Sequence, residues 1–169
     1  KFDSIAGVSI KVNDYVNTAK KALDLAKAGK VQAVSIDGGN ITTVQVTTKK
    51  GKVNSYYIDV LQGKASLNAD DDTKGTLKWN EKSKKELKFD YGMKDNGPKY
   101  ELKDGEWVVV ENAKSEKEWF EQAELIEKHW LKNGVEKPSI TDGRFDSIAG
   151  VTIKDAYTAT AKKALAQVK

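Results

Sequence analysis

VQAVSIDGGNITTVQVTTKKGKVNSYYIDV, residues 31–60, decides the fold. Residues 31–36 alternate between apolar and polar, and Asp37-Gly38-Gly39-Asn40 is a turn. Residues 41–48 continue the period of two in Thr and Val, and Lys50-Gly51 turns the chain again before 53–60. Alternation of this kind puts one face of each strand on a core, and β-branched side chains suit that pleated surface.

The chain beyond the strands supplies helices. Residues 70–88 are charged and weakly patterned, which predicts an exposed excursion with a short helix around 83–87. Residues 100–102 and 107–110 flank Asp104-Gly105, a hairpin signal. Next, Ser115 with Glu118 reads as a capping box, and Trp119, Phe120, Ala123, Ile126 and Trp130 form an apolar stripe that Asn133-Gly134 ends. Strands and helices segregated along the chain predict the α+β class, an antiparallel sheet with packed helices.

The ends of the chain repeat one another. Residues 2–10 read FDSIAGVSI and residues 145–153 read FDSIAGVTI; TAKKAL follows each, at 18–23 and at 160–165. Tyr15, Ala19, Ala22, Leu23 and Ala26 make a helical stripe capped by Asn13 or Asp14, and Tyr157, Ala161, Ala164, Leu165 and Val168 reproduce it. The two blocks lie 143 positions apart, too far for a solenoid and right for tandem whole domains. With no initiator Met, this predicts a piece of a longer protein. Residues 1–29 are then the tail of a preceding repeat, and 30–169 one domain.

Composition excludes several classes. The chain has 169 residues, 38% hydrophobic and 32% charged, with no apolar run near the roughly 20 residues that span a bilayer. It has no cysteine, hence no disulfide, zinc ribbon or thiol nucleophile. Its 29 basic and 25 acidic residues are interspersed, which reads as a solvated surface and predicts no nucleic-acid partner. The single histidine, His129, sits beside the helical stripe and reads as a satisfied, half-buried side chain. Phosphate-binding glycine loops are missing, and Asp70-Asp71-Asp72 lacks the Gly and Glu of a calcium loop.

Chemistry is therefore sought in the repeated block. Ser9 and Thr152 each follow a glycine by two positions and precede a helix. A helix N-terminus suits a phosphate or phosphodiester, and Gly7 or Gly150 lets the backbone approach a bulky group. The same pattern fits packed loops whose hydroxyls cap helices, and spacing alone favours that reading.

DSIAGVT, residues 146–152, resembles the motif of the FMN-binding domain family: an Asp, two free positions, Ser or Thr, then Gly, Ala, and Ser or Thr. DYGM at 90–93, the helix at 118–135 and the strands at 37–53 are also similar to that family, so the resemblance covers about 31–169. Two positions depart from it. Ala149 stands where the family has Ser or Thr, and Val151 where it has Ala. The family includes subunits of membrane oxidoreductases, but the closer likeness is to the extracellular flavinylated lipoproteins of Gram-positive bacteria.

The resemblance implies FMN joined covalently to Thr152 by a separate flavin transferase, with Asp146, Ala149, Gly150 and Val151 completing the recognition motif. It places Tyr91, Gly92 and Met93 near the isoalloxazine ring. Ser9 matches the acceptor without a domain body of its own. The expected function is an extracellular, cell-surface-anchored electron carrier, not an enzyme, with membrane-bound or extracellular redox donors and acceptors as partners. The alternative is a non-redox exported binding or pheromone-precursor lipoprotein module that keeps the fold without flavin. An FMN-dependent reductase comes third, because no acid or base stands beside the motif.

Overall fold

The computed structural model describes residues 12–68 and 71–168. The first copy of the repeated block, with Ala6, Gly7, Val8 and Ser9, lies outside them, as does Asp70. The chain opens with helix α1 (Asn13–Lys27), which starts without a side-chain cap; neither Asn13 nor Asp14 supplies the one expected. Instead the backbone carbonyl of Asp14 accepts a hydrogen bond from the Thr18 hydroxyl, inside the first turns.

Three strands carry the core. β1 (Lys30–Asp37), β2 (Asn40–Lys49) and β3 (Lys52–Leu61) pair antiparallel in that order. Ala33 lies opposite Val44, and Val44 opposite Ile58. That register collects Ala33, Val44, Val46, Tyr56, Ile58 and Val60 on one buried face, as the alternation requires.

A second hairpin follows, β4 (Gly63–Asn68) with β5 (Asp71–Trp79), where the sequence reads as an irregular excursion. The reason is that Lys64, Ala65 and Ser66 in β4 and 75–78 in β5 are exposed, so no buried face imposes a period of two. The expected short helix is present: α2 (Lys84–Leu87), with Ser83 and Glu86 exchanging cap hydrogen bonds, leads into a 3-10 turn at Lys88–Tyr91. β6 (Pro98–Lys103) and β7 (Glu106–Lys114) form the hairpin around Asp104-Gly105.

Helix α3 (Trp119–Asn133) packs against β3 and ends at Gly134. Its start differs from the expected Ser115–Glu118 box. The Glu118 N–H donates to the Glu121 carboxylate at 2.8 Å, three residues further on. Ser115 is not the cap, because the Glu118 carboxylate is taken up elsewhere, by the N–H groups of Met93 and Lys94 at 2.9 and 3.1 Å.

A small hairpin, β8 (Ile140–Thr141) and β9 (Arg144–Phe145), turns through Asp142 and Gly143, whose φ angles of 51° and 71° fit a two-residue loop. Helix α4 (Thr158–Leu165) closes the domain over β1 and β2. The architecture is α+β, with α3 and α4 side by side on one face of the sheet.

The tryptophans of α3 join these layers. Trp119 donates its indole N–H to the Tyr157 hydroxyl at 3.0 Å, and burial pushes that phenol up to about 12. Trp130 is 1% exposed and meets the Tyr56 ring edge-on at a centroid distance of 5.6 Å. Truncating a fully enclosed indole removes its burial and leaves a cavity. Trp130→Ala is accordingly expected to cost about 3–5 kcal/mol, read as a lowered urea midpoint at unchanged m.

Candidate functional site

The repeated block of the second copy is a tight loop between β9 and α4. Phe145, Ile148, Val151 and Ile153 are buried, while Ala149, Gly150 and Lys154 are exposed and Thr152 is half-exposed between two buried neighbours. Gly150 has φ of 78°, and a Cβ there would stand 2.8 Å from Lys117 Cε. What approaches Gly150 is thus a protein side chain. The backbone's left-handed turn and the lysine stem account for the glycine.

Thr152 does not sit at a helix N-terminus. α4 starts at Thr158, and the Asp155 carboxylate caps it by accepting the N–H groups of Tyr157 and Thr158, each at 2.9 Å. Both sequence readings of the hydroxyl, as helix cap or as partner of a helix-bound phosphate, are corrected by this. Five residues, 153–157, separate Thr152 from the first residue of α4.

Gln122 of α3 fixes the loop instead. Its Oε1 accepts the N–H groups of Thr152 at 2.8 Å and Ile153 at 3.1 Å, with the Thr152 hydroxyl 3.4 Å away. Its Nε2 donates to the Lys117 carbonyl at 3.3 Å and lies 3.7 Å from Met93 Sδ. The side chain is 1% exposed. One buried amide therefore holds the Thr152 segment and the Met93 segment in fixed relation.

Asp146 is held from the other side. Its carboxylate accepts from the Ser139 and Thr141 hydroxyls, the latter at 2.6 Å. Those bonds, Ser139 first, lower its pKa from the ordinary aspartate value. Arg144 donates to the Thr152 carbonyl and lays its guanidinium over the Tyr100 ring at 3.8 Å.

Two cavities meet here. One, of about 430 Å³, is lined by Asp146, Ala149, Gly150, Val151 and Thr152 together with Gln122 and Trp107. Trp107 carries a buried indole N–H with no partner among the described residues. The other, of about 600 Å³, is lined by Tyr91, Gly92, Met93, Trp119, Tyr157 and Arg144. Tyr100 borders both. Lys84 Nζ stands 4.8 Å from the Tyr91 ring centre and 5.2 Å from that of Trp119, so the second cavity is aromatic with cations at its rim.

All the candidate residues except Ser9, which is outside the described residues, line these two adjoining spaces. Val151 contributes little side-chain surface, being 1% exposed and part of the core. Sequence reading missed Gln122, Tyr100, Arg144, Trp119 and Tyr157 as site residues. A signal existed for Gln122, a polar residue one turn from Trp119 on the inward stripe of α3. No spacing rule marks Tyr100 or Arg144.

His129 stands away from both cavities. It is half-buried on α3, and its Nε2 is buried without a partner among the described residues, so it is not the satisfied histidine expected. Among the described residues no group of three or more His, Cys, Asp or Glu is placed to hold a metal ion, and no helix is long and apolar enough to cross a membrane.

No protein-family model matches the chain, and no curated protein does. A solution NMR structure of a protein from Clostridium thermocellum is similar at 25% identity, over 83% of this chain and 90% of that one, with a TM-score of 0.44.

Two outcomes are expected of this site. Gln122→Leu, close in volume but without acceptors, leaves two buried N–H groups unpaired; it should cost about 2–4 kcal/mol and speed amide exchange at Thr152 and Ile153. Asp146, with its lowered pKa, contributes stability that is present above the unfolded aspartate value of about 4 and is lost as pH falls through the folded value. Wild type minus Asp146→Asn stability, measured by denaturant titration, should therefore be constant near neutrality and shrink below about pH 4.

Proposed function

We propose that this chain is an extracytoplasmic electron-transfer domain that carries FMN in phosphodiester linkage to Thr152. The observation that carries the reading is the junction of the two cavities. The motif that resembles the flavinylation sequence ends in Thr152, a half-exposed residue that lines one cavity, and the next residue, Ile153, borders the aromatic one.

The lining suits the cofactor. Spaces of about 430 and 600 Å³ are within the usual range for small-molecule sites, about 300–1,000 Å³. Tyr91, Met93, Trp119 and Tyr157 offer flat and polarizable surface to an isoalloxazine ring. Lys84, Arg144 and Lys154 border the same space and would balance a phosphate and the negative charge of a reduced flavin. Trp107, whose buried indole N–H has no partner among the described residues, lines the same cavity as Thr152.

FMN, when attached, supplies the one- and two-electron chemistry. The protein's part is positional. Gln122 holds Thr152 and Ile153 by their N–H groups and stands 3.4 Å from the Thr152 hydroxyl, Arg144 holds the Thr152 carbonyl, and Thr152 lines the cavity. No general acid or base is required of a carrier, and a covalent tether keeps the cofactor on a protein that works outside the cell. The flavin transferase and redox proteins that exchange electrons with the ring are the partners this reading calls for.

The test is intact mass and visible absorbance after co-expression with a flavin transferase. Wild type should gain the mass of one FMN less water and turn yellow, Thr152→Ser should do the same, and Thr152→Ala should do neither. A wild type that stays colourless and unmodified returns the chain to the flavin-free binding module.

A further inference from the structure

Helices α1 and α4 share a sequence and differ in setting. TAKKAL occupies 18–23 in one and 160–165 in the other, and Tyr15 corresponds to Tyr157. In α4 the stripe is sealed: Tyr157, Ala161 and Ala164 are buried, and Thr160 Oγ1 lies 2.6 Å from Ser35 Oγ of β1. In α1 no residue is buried, and Tyr15 and Leu23 are 66% and 60% exposed. One groove on the sheet thus has two helices made to fit it.

The path of the chain lets α1 reach that groove. α4 runs against the direction of β1. Thr160 meets Ser35 near the strand's end, and Gln167 Nε2 reaches the Gln32 carbonyl near its start at 3.4 Å. A helix seated there finishes where β1 begins, and α1 leads straight into β1. Leu25 is the counterpart of Gln167 and lies seven residues before Gln32. Seven residues span up to about 23 Å, more than the gap to be bridged.

The rest of the closing segment is duplicated too. Phe145, Ile148, Val151 and Ile153, all buried, have identical counterparts in Phe2, Ile5, Val8 and Ile10 of the sequence. Asp155, the cap of α4, corresponds to Asn13, also a favoured cap residue. The one-residue length difference between the copies falls beside that position, in the loop. Val168, packed on the core, corresponds to the smaller Ala26, which favours the C-terminal copy.

We propose that α1 is a standby closing helix, which takes the α4 groove on its own sheet whenever α4 leaves it. The fold then has two frames, closed from its C-terminal or its N-terminal end. The tether raises the effective concentration of α1 at its own sheet to the order of millimolar, which favours it over the helix of a second molecule. This inference is independent of any cofactor.

The full chain has no cysteine and serves as the background. Ser35→Cys with Thr160→Cys should form a disulfide and report α4 in place. Ser35→Cys with Thr18→Cys should form one within the chain once Ala161→Asp and Ala164→Asp disable α4, and that protein should still unfold cooperatively. Adding Ala19→Asp and Ala22→Asp should abolish both the disulfide and the cooperative transition. An α4-disabled chain that unfolds regardless of α1, stays folded without the 18–35 bond, or bonds only between molecules overturns the proposal.

Discussion

The carboxamide of Gln122 is the constraint on which the arrangement of this domain depends. A buried amide has two donors and two acceptor lone pairs to place, and leaving any of them unmatched in a core costs as much as a lost hydrogen bond. Here the oxygen is spent on two consecutive N–H groups of the loop after β9, and the nitrogen on the Lys117 carbonyl beside Met93. Neither the Met93 segment nor the Thr152 loop belongs to a regular element at that point. Their backbone groups have no ladder to satisfy them, and α3 supplies the substitute.

Glu118 performs a related task at the start of the same helix. Its carboxylate accepts the Met93 and Lys94 N–H groups, so that the strand-poor stretch between the 3-10 turn and β6 is tied to the residue that precedes α3. Together the two side chains make α3 the reference against which both cavities are positioned. The sheet supplies the floor and rigidity, and the helix's polar inward residues set the walls. Glu127 extends the pattern toward β3, where its carboxylate accepts the Ile58 N–H at 2.6 Å and the Lys85 ammonium at 2.5 Å. Burial raises its pKa, with Lys85 opposing.

Much of this was legible in the sequence, for reasons that differ between elements. β1 to β3 were readable because a buried face enforces alternation, and α3 because its stripe and Gly134 are both explicit. The β4–β5 hairpin was not readable, because its backbone pairing leaves its side chains in water. The helix start was misread by three residues, since a carboxylate three positions from a serine looks like a box whether or not it is free. At the site, the resemblance named Thr152 and its neighbours. The residues that hold them are Gln122, which sequence distance hides at 30 positions from Thr152, and Arg144, which lies only eight positions away but carries no spacing signal.

The inward–outward alternation of the repeated block sorts its residues by what reads them. Any enzyme that meets this loop in the folded domain touches Ala149, Gly150, Thr152 and Lys154; Ile148, Val151 and Ile153 are turned to the core. The two departures from the family pattern therefore answer to different judges. Val151 is weighed by packing volume alone, in an enclosure shared with the sheet and α3, and a modifying partner has no means of sensing it. Ala149 is weighed by whatever docks from outside. A motif that looks like one string of letters is, in three dimensions, two interleaved specifications, and each can drift without consulting the other.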